Sequence, residues 1–216
     1  MLSVPAAAVS VAWLVSALAF AVSMAGTPGP NNAMLTSSGS LWGFRRTVPH
    51  MVGISIGFPA MLLAVALGIG GVLRAHPTVL TVMRWLGAAY LLYLAWRIAT
   101  ASPEPEAGHE GGASARRRPL SFLQAAMFQW VNPKAWLITL SALATVASTA
   151  GHPSIPRAVI LSVVFLAVTW PITAFWTAVG VGVSRFLASE RAVHRFNVAM
   201  AALLVASLVS ILVGAD

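Results

Sequence analysis

The chain has 216 residues, 58% of them hydrophobic and 8% charged, with a mean hydropathy of +0.84. A soluble domain of this length needs a charged, solvated surface, whereas lipid-facing positions need none, so composition excludes the soluble class. The net charge of +8 sits in Arg residues at segment ends rather than on one basic face with interleaved aromatics, which argues against a nucleic-acid partner.

Apolar stretches run over about residues 4–26, 47–73, 78–99, 120–150, 155–183 and 192–214. Each is long enough to cross a hydrocarbon core of ~30 Å. In the first, small residues around Ser23 and Ala25 resemble a signal-peptide cleavage site. No Lys or Arg precedes the stretch, however, and its length from Val4 to Ala25 exceeds a typical signal core, so we read a retained first span. The linker at 100–119 is rich in Pro, Glu and Gly and cannot build a core. It separates a first three-helix unit, 1–99, from a second, 120–216, within one membrane domain.

Charge sets the expected orientation. One face carries Arg45, Arg46, Arg97, Arg116, Arg117, Arg118, Arg185, Arg191 and Arg195; the other carries Arg74, Arg84 and Arg157. The Arg-rich face belongs in the cytoplasm, with both termini outside.

The halves echo each other. Phe58-Pro59 precedes Gly68-Ile69-Gly70 by the same interval that separates Trp170-Pro171 from Gly180-Val181-Gly182. Arg84-Trp85 and Arg195-Phe196 open the third and sixth stretches. Each half holds an odd number of spans, so two homologous halves insert in opposite senses, the inverted-repeat design of many secondary transporters. The predicted fold is an all-α polytopic membrane protein: six transmembrane helices as two inverted three-helix repeats, with helices 1 and 4 discontinuous.

The discontinuities carry the chemistry. Pro28 and Pro30 each lack an N–H and clash with the preceding turn, so the first helix should unwind over Thr27, Pro28, Gly29 and Pro30 and restart near Asn31, with Asn32 in the same cluster. In the fourth, Asn132 suits an N-cap and Pro133 the first helical position. Restarted helices present free N–H groups and partial positive charge. Lys134 lies in that first turn, with no acidic residue in any apolar stretch. Such a charge costs roughly 2.5–3.5 kcal/mol at membrane depth and marks function.

Two helix N-termini and an ammonium suit a substrate carboxylate. The unwound carbonyls of the first half-helices, facing the other way, suit a substrate ammonium, helped by Trp130, Trp136 or Tyr90. The expected ligand is a neutral, zwitterionic amino acid. Gln129 and Gln124 either line the same cavity or bond across helices. Gly53 and Gly57 read as a close helix contact. His50 is a candidate proton relay, against the blander reading of a structural His at the interface.

These residues resemble the lysine exporter/homoserine–threonine exporter (LysE/RhtB) superfamily of bacterial amino-acid efflux proteins. The motifs are T-P-G-P-N at Thr27–Asn31, Gly39, Gly43 and Arg45 with Gly53 and Gly57, G-A-A-Y-L-L-Y-L at Gly87–Leu94, and Q-x-x-N-P-K at Gln129–Lys134. Val198 departs from the repeat, standing where the second half would echo Gly87. The resemblance implies a six-span inner-membrane exporter of amino acids or their derivatives, driven by the proton gradient. It covers nearly the whole chain.

Related exporters of cationic amino acids or divalent metals fit less well, because no acid or Cys lies at depth. An intramembrane enzyme would require a Ser–Lys pair built on Lys134, the one opening for such chemistry. A passive channel is the other rival. No cofactor or metal is expected; the partners are the amino-acid substrate and the lipid bilayer, and a homodimer is compatible with the sequence.

Overall fold

The computed structural model describes residues 10–100, 118–144, 154–184 and 189–213. Most of the 100–119 linker, including Arg116 and Arg117, lies outside them, as do Arg185 and the ends of several predicted stretches. Among the described residues the fold is all-helical: α1 (Val11–Gly26), α2 (Pro30–Ala64) continuing through a π-turn (Val65–Ile69) into α3 (Gly70–Ala75), α4 (Pro77–Ala99), α5 (Phe122–Val131), α6 (Pro133–Ala144), α7 (Ile155–Ser184) and α8 (Glu190–Val213).

Helix α2 is a hairpin of two arms. Gly43 interrupts it at φ 77°, ψ 172°, a conformation that favours glycine because it carries no Cβ. The arms then run back along each other: Ser38 Oγ lies 3.0 Å from Thr47 Oγ1, and Leu35 packs with Met51 and Ile54. The hydropathy reading ended the first stretch at residue 26 and opened the second at 47, leaving the first arm unassigned. That arm holds Asn31, Asn32, Thr36, Ser37, Ser38 and Ser40, which lowers its hydropathy. Yet Asn32 and Thr36 through Ser38 are buried, so their polar atoms meet protein rather than lipid. Thr36 Oγ1, for instance, donates to the Asn32 carbonyl at 2.8 Å.

Close backbone approach holds the bundle together. A Cβ on Gly39 would strike the Thr177 carbonyl, and one on Gly180 would strike the Thr36 carbonyl, so α2 and α7 touch backbone to backbone. Gly53 and Gly57 do the same against α5, where a Cβ on Gly57 would lie 2.6 Å from Ala126 Cα. Gly87 seats α4 on the Val131 carbonyl at the end of α5. Small residues at such contacts are how apolar helices associate when lipid removes the hydrophobic drive between them. Phe165 of α7 meets Phe20 and Phe58 edge-on at 6.2 and 5.0 Å, tying α1 and the second arm of α2 to the same core.

The outside of the bundle is apolar. Leu18, Val22, Trp85, Leu92, Trp96, Leu137, Val163 and Phe175 are all exposed. So broad an apolar surface fits contact with lipid and would be a liability in water. Ile155–Ser184 has the length and hydropathy of a membrane crossing on its own; Pro30–Ile69 also has them, but as a segment that reverses at Gly43.

The glycine contacts generate a stability prediction. Gly57→Leu is expected to lower stability by about 1–3 kcal/mol, because the side chain must displace α5. Gly71→Ala, with nothing within 4 Å of the new carbon, is expected to leave stability unchanged or slightly raised. Thermal unfolding in detergent, followed by tryptophan fluorescence, compares the two.

Candidate functional site

The site forms where two helix breaks meet. The first lies between α1 and α2. Without N–H groups on Pro28 and Pro30, the Met24 and Gly26 carbonyls lose their usual i+4 partners. Side chains take up carbonyls along the break: Thr27 Oγ1 donates to the Met24 carbonyl at 3.0 Å, and Asn32 Nδ2 donates to the Ala25 and Thr27 carbonyls at 2.8 Å each. Asn32 is therefore a staple across the break. Gly29 is extended there, and a Cβ would lie 2.9 Å from both Cδ and Nζ of Lys134. Glycine is needed for that approach rather than for its torsion.

The second break is a single residue, Asn132, between α5 and α6. Its Oδ1 accepts the Lys134 N–H at 3.1 Å, and Pro133 opens the helix, as its sequence suggests. The two breaks are joined by side chains. Asn31 Nδ2 donates to Gln129 Oε1 at 2.9 Å, while Gln129 Nε2 donates back to Asn31 Oδ1 at 3.2 Å and to the Ala125 carbonyl at 2.9 Å. This reciprocal amide pair is buried at Gln129, which has 0% exposure.

Lys134 makes the second link. Its Nζ donates to the Thr27 carbonyl at 2.9 Å, Thr27 Oγ1 at 2.8 Å and the Pro28 carbonyl at 3.2 Å. All three ammonium hydrogens thus have an acceptor on the unwound segment. The sequence reading had these carbonyls facing a substrate ammonium; in the structure the protein's own ammonium occupies them. The reason is electrostatic: a half-buried cation without a carboxylate takes the nearest unsatisfied oxygens, and proline-broken backbone provides them.

A cavity opens beside this junction. Its polar wall is Asn31, Asn32, Asn132, Lys134, Thr169 and Thr173; Phe58, Phe165 and Ile172 are among its apolar lining. Thr169, on α7, was not singled out from sequence. It is buried, and its hydroxyl has no partner in the protein. A buried hydroxyl of this kind calls for a ligand or water. Nothing in a lone Thr within an apolar run distinguishes it; only the folded cavity does.

Other candidates fall elsewhere. Gln124 is exposed and closes a capping box with Ser121 at the start of α5. Tyr90 packs on Phe128, and Trp136 donates its indole N–H to the Trp130 carbonyl at 2.7 Å; none of the three aromatics lines the cavity. His50 is buried with both ring nitrogens unpartnered, outside this cavity. No cluster of three metal-ligating side chains occurs among the described residues.

Comparison with known proteins places the chain. The family model for LysE type translocators matches residues 8–215. Cysteine/O-acetylserine efflux proteins are similar over 120 residues: 39% identical in Escherichia coli (strain K12) and 38% identical in Salmonella typhimurium (strain LT2). Each alignment covers 55% of this chain and 57% of the relative, so the chain spans little more than half the length of those proteins. No solved structure matches.

The amide pair supplies a test of the junction. Gln129→Leu is expected to cost about 1–3 kcal/mol by stranding Asn31, and adding Asn31→Leu to cost less than the sum of the two single changes. A double-mutant cycle on thermal unfolding reads the coupling.

Proposed function

Because the chain belongs to the LysE type translocator family, we propose that it exports small neutral amino acids across the bacterial inner membrane. The observation that carries this reading is the Lys134 ammonium on the carbonyls of a broken helix, beside a cavity with an unpartnered buried hydroxyl. The substrate class follows from charge balance and from the relatives named for cysteine and O-acetylserine efflux.

A zwitterion can enter this arrangement without a net loss of ionic hydrogen bonds. Its carboxylate takes a hydrogen of Lys134, releasing the longest contact, to the Pro28 carbonyl. Its ammonium takes the carbonyl so freed, together with the Asn side-chain oxygens nearby. Thr169 is placed to donate its hydroxyl to the carboxylate. A cationic ligand meets the ammonium already present, and a ligand without a carboxylate leaves that ammonium where it is. The apolar wall around Phe58 and Phe165 suits a short uncharged side chain.

Six crossings in two inverted repeats, 1–99 and 120–216, accommodate the helices. α1 with the first arm of α2 forms one broken crossing, α5 with α6 the other, and their breaks meet at the site. The rest of α2 with α3, then α4, α7 and α8, are the remaining four. The Arg-rich end then lies in the cytoplasm and both termini outside. With no carboxylate in the apolar stretches, proton coupling runs through Lys134, His50, the substrate or water.

Counterflow in proteoliposomes tests the proposal. Preloaded vesicles are expected to accumulate labelled O-acetyl-L-serine or L-cysteine transiently above equilibrium, with Lys134→Met reducing this to background in a monodisperse protein. Thr169→Val is expected to weaken apparent affinity by up to about tenfold, the worth of one hydrogen bond. Equilibration without overshoot would indicate a channel. Full activity in Lys134→Met would remove Lys134 from the site.

A further inference from the structure

A second cavity lies further along the same helices, and the proposed site does not use it. Its wall includes Ser37, Ser38 and Trp42 from the first arm of α2, His50 from the second arm, Arg97 near the end of α4, and Arg118. Between the two cavities stands a buried apolar cluster of Leu35, Met51, Ile54 and Ala125, each at most 1% exposed.

The order is the same on three helical segments. On the first arm of α2, Asn31 and Asn32 line the first cavity, Leu35 is in the cluster, and Ser37 and Ser38 line the second. On the second arm, Phe58 and Ile54 line the first, Ile54 also packs with Met51 in the cluster, and His50 lines the second. Along the chain before the second break, Asn132 lines the first, Ala125 is in the cluster, and Leu120 lines the second. The cavities therefore follow one another along these segments, with the buried apolar cluster between them.

The second cavity has the chemistry of a carboxylate site. Arg97 and Arg118 are among its lining residues, and Arg97 is held over the Tyr93 ring at 5.9 Å, which limits its freedom. His50 is 2% exposed, and neither ring nitrogen has a partner. An imidazole always retains at least one N–H, and burying it unsatisfied costs free energy unless something in the cavity accepts it. Among the described residues the wall carries no Asp or Glu.

We propose that this second cavity is a separate binding site for the carboxylate of the transported amino acid, held by Arg97, Arg118 and His50. It is where the ligand waits on the Arg-rich side before the Leu35–Met51–Ile54–Ala125 layer parts. The proposal rests on the amino-acid transport reading and adds a station to its path. Arg97 and Arg118 select for the carboxylate, and Ser37 and Ser38 offer oxygens to the ammonium.

Equilibrium dialysis of full-length protein in nanodiscs against labelled O-acetyl-L-serine tests it, with L-cysteine under reducing conditions as the second probe. Wild type is expected to bind two molecules per chain. Arg97→Gln/Arg118→Gln and Lys134→Met are each expected to bind one, the retained site reporting an intact fold. The methyl ester, which lacks the carboxylate, is expected to leave the 15N resonances of His50 unmoved, while the free acid shifts them; His50→Gln assigns the signals. One molecule per chain in wild type, unchanged by the double Arg substitution, would overturn the second site and leave the transport reading standing. No binding of either amino acid to wild type would overturn both.

Discussion

A single ammonium with no carboxylate partner among the described residues organises this molecule. Lys134 lies between helices whose outer surfaces are apolar, and its three hydrogens find Thr27 Oγ1 and the carbonyls of Thr27 and Pro28. An intact helix offers no free carbonyls in its interior, so the cation is tolerable only because Pro28 and Pro30 break the first helix opposite it. The dependence runs both ways. The freed carbonyls would be costly to bury unpaired, and Lys134 together with Asn32 satisfies them.

The rest of the junction follows from that contact. Holding Nζ over residues 27–28 fixes the first turn of α6, which Asn132 caps and Pro133 begins. Gly29 is required because the lysine stem passes where a Cβ would sit. The Asn31–Gln129 pair fixes the second half-helix of one break against the first half-helix of the other. Close glycine contacts from α2 to α5 and α7 then fix the walls of the cavity. The proposed function uses the same interaction, since a zwitterion carries both groups needed to separate Lys134 from its carbonyls and satisfy each.

Much of this was legible in the sequence because proline chemistry is local. The breaks fall at Thr27–Gly29 and at Asn132, and the cap at Asn132 is the one its side chain suggests. The packing role of Gly53 and Gly57 was legible too. Hydropathy failed for residues 30–42, because it averages over a helix and cannot tell a polar face turned to protein from one turned to water. Gly43 at positive φ, which reverses α2, was present in a family motif without revealing a turn. That Lys134 itself reaches the unwound carbonyls was not legible, since an isolated helix dipole says nothing about which cation lies nearest in the fold. Thr169 and the wall around His50 needed the cavities themselves, which bring together residues far apart in the chain.

The central claim is that the substrate takes over the contacts of one ammonium, and the chain offers a direct probe of it. Lys134 is its only lysine, so lysine labelled with 13C at Cε gives one side-chain signal. Titrating O-acetyl-L-serine into the labelled protein is expected to shift that signal saturably, over the concentration range of transport, while the methyl ester leaves it in place. A signal unmoved by an amino acid that the same preparation transports would contradict the account.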